Sequence, residues 1–321
     1  MLKKLADLKL NYYARGYMLN QLTGFHIELT NMCTLKCPRC ARTKFIEQFP
    51  SKWTNKNLNL DHLKQFLDVD LKNKTISLCG NYGDPIYYPQ LFKMITYFKE
   101  AGSIISISTN GSYKSWDWWK QLADLLDYKD TVIFGIDGLP ENFTQYRINA
   151  DWQSIKTGID ILTKTDINTE WQYIPFSFNE DTIDRARQLS QELGFTKFLI
   201  LPSDRWDNND ILKPIEYLGS RESVIINWKN ETTKIRTNKV TAKCKHLNNQ
   251  HFISADGYYM PCCYVGDHRF YYKSEFYKNR AQYDISTTTI SKILASNQSK
   301  DFYNSIEDAK LNYCTFNCPK L

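Results

Sequence analysis

The strongest constraint on the fold is a rhythm. Short runs rich in β-formers, FHIEL (25–29), TISLCG (75–80), SIISIST (103–109), TVIFGID (131–137), TEWQYIPF (169–176) and KFLIL (197–201), alternate with helix-length stretches near 58–70, 89–101, 115–127, 152–164 and 180–193. Strands joined through helices pair side by side by right-handed crossovers, so the pattern predicts a mainly parallel sheet. Six such units in roughly 180 residues fall short of the about 250 that a closed eight-unit barrel takes. The expected fold class is therefore α/β, an open partial (β/α)6 TIM-like barrel whose site lies at the carboxyl ends of its strands. Gly194 is placed to end the last of these helices as a C-cap. Residues 1–24 read as an amphipathic N-terminal helix, 25–205 as the barrel, 206–243 as a polar linker or irregular bridge, and 244–321 as a small cysteine-rich unit. With 321 residues, 42% of them hydrophobic, the chain is long enough for a core in each part.

Charge excludes some partners. The 41 basic and 35 acidic residues leave +6, and no lysine or arginine block would track a phosphate backbone, so nucleic acid is not an expected partner. A weakly anionic substrate stays open. The opening residues lack an apolar h-region and no stretch reaches eighteen apolar residues, so no membrane span is expected and the cytoplasm is the expected location. Nine cysteines, an odd number, fit metal ligands or free thiols in a reducing compartment better than a disulfide framework.

Three of those cysteines stand together in ELTNMCTLKCPRCARTKF (28–45): Cys33, Cys37 and Cys40, spaced C-x3-C-x2-C directly after the first strand. A compact loop can turn three thiolates toward one point, and cysteine ligation is how iron–sulfur clusters are held. A zinc site completed by a distant fourth residue, or three unconnected thiols, are the other readings of the same residues. In strand and barrel context the triad resembles the signature of the radical S-adenosylmethionine (SAM) superfamily. The resemblance implies a catalytic [4Fe-4S] cluster held by Cys33, Cys37 and Cys40, with its fourth iron chelated by the amino and carboxylate groups of SAM. Reductive cleavage of SAM then gives methionine and a 5'-deoxyadenosyl radical that takes a hydrogen atom from the substrate. The position before the third cysteine, often aromatic in the family and packed near adenine, is Arg39 here.

Further segments follow the family order. CGNYGDP (79–85) resembles the Gly-Gly-Glu-Pro segment that binds the SAM amino group, with Tyr82, Gly83, Asp84 and Pro85 in those places. Gly83 permits a close backbone approach and Asp84 offers an acceptor to an ammonium. STNG (108–111) resembles the ribose-side segment through Ser108, Thr109 and Asn110; read alone, both segments are ordinary turns. Asp137 resembles a ribose-facing position and Arg147 the arginine that meets the SAM carboxylate, while Gln172 on the fifth strand is placed to point into the barrel. Cys79, inside an apolar strand, reads as a small core residue.

A second cysteine group closes the chain. Cys244, Gly257 and Cys262 are spaced C-x12-G-x4-C, followed by Cys314 and Cys318. This resembles the SPASM or shorter twitch extension, and implies one auxiliary [4Fe-4S] cluster on Cys244, Cys262, Cys314 and Cys318; a structural zinc on the same four is the alternative. FISADGYYMPC (252–262) reads as a β-hairpin turning at Asp256-Gly257. Cys263 reads as a bystander or reserve thiol, and His246, His251 and His268 as surface residues. The family relation implies hydrogen abstraction from a peptide or protein, leading to oxidation, crosslinking or epimerisation, with a carbohydrate or other small molecule as the second substrate class. No winged-helix leader-binding segment is expected ahead of the barrel, which counts against a peptide. A reducing partner such as flavodoxin or ferredoxin is implied, and no residue is assigned as proton or hydrogen donor. A non-catalytic iron–sulfur or zinc protein is the reading from another class.

Overall fold

The structure, a computed structural model, describes residues 22–302 except 204, 208, 218–221, 226–232, 237–249 and 300. Nothing from 1–21 or 303–321 is described, so the expected N-terminal helix, His246, Cys244, Cys314 and Cys318 lie outside the described residues.

The rhythm becomes β1 (Gly24–Ile27), α1 (Ala41–Gln48), α2 (Leu60–Phe66), β2 (Thr75–Leu78), α3 (Leu91–Glu100), β3 (Ile104–Thr109), α4 (Trp116–Leu125), β4 (Thr131–Gly135), α5 (Trp152–Leu162), β5 (Asn168–Tyr173), α6 (Ile183–Glu192) and β6 (Lys197–Ile200). β1 to β6 pair in parallel and in sequence order. Their residues alternate between buried and half-buried positions, as in β3 and β5, because successive side chains face opposite sides of the sheet. The helices bury the complementary stripe: Leu91, Met94, Ile95 and Phe98 recur at the spacing of one helix face in α3. Asn59, Ser115 and Asp151 cap α2, α4 and α5 by accepting from the N–H groups of His62, Trp118 and Ser154. Gly194 follows α6 in the left-handed region at φ +94°, in keeping with its C-cap role.

Two features depart from the sequence reading. The stretch 206–243 is not irregular throughout: β7 (Glu222–Ile225) and β8 (Thr233–Arg236) add to β6 as an antiparallel hairpin. The C-terminal segment, in turn, is continuous with the barrel sheet. β9 (Gln250–Ile253) pairs in parallel with β1, and β10 (Tyr259–Met260) returns antiparallel to β9 across a turn with Gly257 at φ +85°. The hairpin expected at Asp256-Gly257 thus extends the barrel sheet on its β1 side. Short helices α7 (His268–Tyr271), α8 (Glu275–Lys278) and α9 (Ile290–Ala295) follow, and Phe276, Ile290, Ile293 and Leu294 join the main core.

Candidate active site

A cavity of about 350 Å³ opens at the carboxyl ends of β1 to β6, within the size range of small-molecule sites. Cys33, Cys37 and Cys40 line it, together with Gly83, Asp84, Ser108, Thr109, Asn110, Arg147 and Gln172. The loop after β1, the loop after β2 and the ends of β3 to β5 therefore bring these sequence-distant residues to one place. Asp137 does not line the cavity.

The three thiols sit in a second, smaller apolar cluster. Cys37 is packed with Leu35, Tyr146 and Phe176, and Trp206 and Leu212 from the loop after β6 pack against it. Cys33, Cys37 and Cys40 are free of disulfides. Burial pushes the Cys33 thiol up to about 12, with Asp84 adding to the effect, and burial pushes Cys37 up to about 11 against the opposing pull of Arg147. Ligation here must displace protons by a strong positive partner, as metal binding to thiols does. Among the described residues no three His, Cys, Asp or Glu side chains converge on a single-ion site. A cluster that takes one thiolate per iron needs thiols spread around it rather than drawn to one ion. The donor set also has polar support, since Asn110 Nδ2 donates to Cys33 Sγ at 3.6 Å and Arg147 lies beside Cys37.

Asp84, which lines the cavity, is bonded to the loop ends around it. Its Oδ2 accepts from Asn110 N at 2.7 Å, Asn110 Nδ2 at 2.5 Å and Thr109 Oγ1 at 3.1 Å, and Oδ1 accepts from Ile86 N at 3.2 Å. Three of those donors converge on Oδ2 and one on Oδ1, so most of the carboxylate's acceptor capacity is engaged within the protein. Buried to 6% exposure, it clamps the loop after β2 to the end of β3 and fixes the Asn110 amide. Gly83 likewise makes its close approach inward: a Cβ there would lie 1.7 Å from the Thr30 carbonyl oxygen, so the glycine lets the loop lie on the backbone after β1.

Asp137, fully buried at φ +54°, accepts from Ile174 N at 2.8 Å and pairs with Arg147 Nη2 at 2.6 Å. Asp137 thus anchors Arg147. Burial opposes the Arg147 charge, but Asp137 and Cys37 more than offset it, so the guanidinium stays cationic. Its Nε is buried without a hydrogen-bond partner. Gly135 makes room for it, since a Cβ there would fall 2.6 Å from Arg147 Nη2. Arg39 turns away from the cavity and forks onto Asp210, with Asp207 at 3.6 Å. Arg39 thus staples the loop after β6.

Glu28 was missed by the sequence reading. It is 2% exposed and accepts from Tyr82 N at 2.7 Å and Gly83 N at 3.3 Å; burial pushes it up to about 7. Its signal is an acidic residue within an apolar strand run just ahead of the triad. Cys79, expected in the core, is half-buried and lines the cavity. Cys262 and Cys263 pack against the main core, and the Cys263 carbonyl accepts from Asn81 Nδ2 at 2.9 Å. His251 is no surface residue: it is 4% exposed, and its Nδ1 lies 2.6 Å from Tyr259 Oη. The His268 side chain is 7% exposed beside Asp267.

A cysteine triad after the first strand of a partial parallel barrel, facing a cavity built from the next five strands, invites comparison with known proteins. The model of the radical SAM superfamily matches residues 27–193. The chain belongs to the radical SAM superfamily. A second model, the SPASM iron–sulfur cluster-binding domain, matches residues 244–319. As a radical SAM protein with a SPASM segment, the chain takes a catalytic [4Fe-4S] cluster, SAM and an auxiliary iron–sulfur cluster. The AdoMet-dependent heme synthase of Methanosarcina barkeri (strain Fusaro / DSM 804) is 25% identical over 68% of this chain and 60% of its own length. A tungsten-containing aldehyde ferredoxin oxidoreductase cofactor-modifying protein of Pyrococcus furiosus is 29% identical over 36% of this chain and 31% of its own length. The chain thus spans less than two thirds of either curated relative. Among solved structures, anSMEcpe with bound AdoMet superposes with TM-score 0.58 at 13% identity, covering 91% of this chain and 86% of that one. Streptococcus suis SuiB bound to S-adenosylmethionine gives TM-score 0.61 at 12% identity, covering 93% and 71%. The radical SAM fold is shared with both. Among the described residues no helix is long and apolar enough to cross a membrane.

Proposed function

We propose that this protein cleaves SAM reductively at the cavity of Cys33, Cys37 and Cys40 and removes a hydrogen atom from a peptide or protein substrate. One observation carries the reading: the three thiols and the side chains of Ser108, Thr109, Asn110, Arg147 and Gln172, drawn from four strand ends, line a single cavity. When bound there, the cluster and SAM supply a 5'-deoxyadenosyl radical. This chain's residues do the rest of the positioning. Arg147, fixed by Asp137, presents a guanidinium to a carboxylate group of SAM. Ser108 on β3 and Gln172 on β5, both half-buried and lining the cavity, offer hydroxyl and amide groups to the ribose side. Asp84 acts behind them as the clamp on Asn110. The apolar roof of Trp206, Phe176 and Leu212 keeps bulk water from the thiols.

The peptide reading is supported by two solved structures of the same fold, anSMEcpe with bound AdoMet and the Cp18Cys peptide, and SuiB bound to precursor peptide SuiA. A small-molecule substrate is the second reading, favoured by the heme synthase and cofactor-modifying relatives. Cys244, Cys262, Cys314 and Cys318 are the proposed auxiliary ligands, a cytoplasmic location is proposed, and a flavodoxin or ferredoxin is the proposed electron donor.

The test is anaerobic reconstitution followed by iron counting and an assay for 5'-deoxyadenosine with a reductant. Wild-type protein is expected to form 5'-deoxyadenosine and the Cys33→Ala/Cys37→Ala/Cys40→Ala variant none. Equal product from both, or none from fully reconstituted wild type, would defeat the proposal.

A further inference from the structure

The residues that line the cavity beyond the thiols are unevenly charged. Among the described residues four arginines line it, Arg42, Arg147, Arg205 and Arg269, against one lining carboxylate, Asp84, which already accepts four hydrogen bonds. Arg147 and Arg42 belong to the thiol end: Arg147 pairs with Asp137, and Arg42 donates to the Leu35 carbonyl in the triad loop. Arg205 and Arg269 come from elsewhere, the loop after β6 and helix α7, and meet at the same cavity. The His268 imidazole is held below its ordinary value by burial, with the Arg269 and Arg205 charges adding to it, which places Arg205 within electrostatic range of the α7 corner.

Arg269 is held from behind, and Arg205 is carried by an anchored loop. Asp267, its side chain 4% exposed, grips Arg269 with two bonds of 3.0 Å, so the guanidinium is fixed while 35% of the side chain stays exposed. Arg205 sits on a loop that is tied down at several points. Arg39 forks onto Asp210, and Glu180 accepts from the backbone N–H groups of Ile215, Glu216 and Tyr217 at 2.7 to 2.9 Å. Among the described residues no carboxylate forms an ion pair with the Arg205 side chain. Two arginines lining one cavity, Arg269 fixed by Asp267 and Arg205 carried by an anchored loop, form a receptor for a planar anion.

We propose that the substrate of this site carries a carboxylate, held at the cavity mouth by Arg205 and Arg269 while the carbon to be attacked points toward the thiol end. The inference rests on the reading of the cavity as the SAM-cleaving site and adds the substrate's chemistry to it. The carboxylate has two possible sources, an acidic peptide side chain or a small polycarboxylate, and the test separates them.

Fluorescein-labelled tetraglutamate and tetraglutamine peptides serve as probes in anisotropy titrations of the anaerobically reconstituted, SAM-loaded protein. Tetraglutamate is expected to bind about tenfold or more tightly than tetraglutamine, and Arg205→Gln to remove about a tenfold share of that preference. Lys120→Gln, on the exposed face of α4, controls for net charge and is expected to change nothing. Uncoupled 5'-deoxyadenosine formation by the wild-type protein is measured on the same samples, and its absence there would count against the SAM-cleaving reading rather than this one. Displacement of tetraglutamate by citrate supports a small polycarboxylate, and resistance to citrate supports an acidic peptide. Equal binding of the two peptides, or equal losses in Arg205→Gln and Lys120→Gln, would overturn the proposal.

Discussion

Asn110→Ala removes a single amide that serves two partners, and its consequences can be worked from distances. The Nδ2 group lies 2.5 Å from Asp84 Oδ2 and 3.6 Å from Cys33 Sγ, and Oδ1 accepts from Ser112 N at 2.9 Å. Asp84 keeps three of its donors in the variant, so the protein should fold, at a cost of about 2–3 kcal/mol for the lost bond to a buried charge and the Ser112 N–H left unsatisfied. The bond to Cys33 matters differently. A donor to a ligating sulfur favours the reduced, more negative cluster, and hydrogen bonds to sulfur are one of the factors that set cluster potentials. If the difference between the two oxidation states is about 1 kcal/mol, the midpoint potential of the SAM-free cluster falls by about 40 mV in the variant. The assay is an anaerobic redox titration followed by electron paramagnetic resonance. Asp84→Asn should shift the potential the other way, because it removes the buried negative charge that pushes the Cys33 thiol up and so favours the reduced cluster. A potential unchanged in both variants, with SAM affinity lost in Asp84→Asn, would refute the reasoning and return Asp84 to direct contact with SAM.

Three other perturbations have defined outcomes. Glu28→Gln should flatten the pH dependence of stability: the Glu28 pKa is raised to about 7, so its contribution is fully present below about 4.5 and is lost as pH rises through 7. The variant should therefore be more stable than wild type at pH 8, by at most about 3 kcal/mol, and similar at pH 4.5, as read from thermal melts. Arg39→Ala removes the partner that lowers Asp210 to about 2; wild type gains stability above about 3.8 and loses it as pH falls toward 2, and the variant should lack that acid limb. After allowance for solvent screening the effect is on the order of 1 kcal/mol, with faster proteolysis of the loop after β6 as its local sign. Gly135→Ala places a methyl 2.6 Å from Arg147 Nη2, a group held by Asp137, so SAM binding by equilibrium dialysis should weaken about tenfold while the melt changes little.

What the sequence disclosed follows from the range over which each signal acts. The strand and helix alternation, the Gly194 C-cap and the turn at Asp256-Gly257 are local, and the structure carries them where the pattern places them. The pairing of β9 with β1 joins segments more than 220 residues apart, and no local pattern encodes such a register. β7 and β8 escaped notice because ESVI and TKIR are four-residue strands in a polar setting, where alternation is too short to read. In the site, residue types were legible but their partners were not. Asp84, Asp137 and Arg39 all lie at positions that the family pattern marks, yet each side chain turns to a neighbour, Asn110, Arg147 or Asp210, whose proximity only the fold creates. Glu28 was hidden for the same reason, since its importance comes from the loop that folds over it.

The central claim, that Cys33, Cys37 and Cys40 hold a cluster open to SAM, is tested most directly by the resonance spectrum of the reduced, reconstituted protein recorded with and without SAM. A variant with Cys262 replaced by Ala isolates the first cluster's signal. The account predicts a cluster signal that changes shape when SAM is added and is abolished by Cys33→Ala/Cys37→Ala/Cys40→Ala. A signal indifferent to SAM, or one that survives loss of the three thiols, would contradict it.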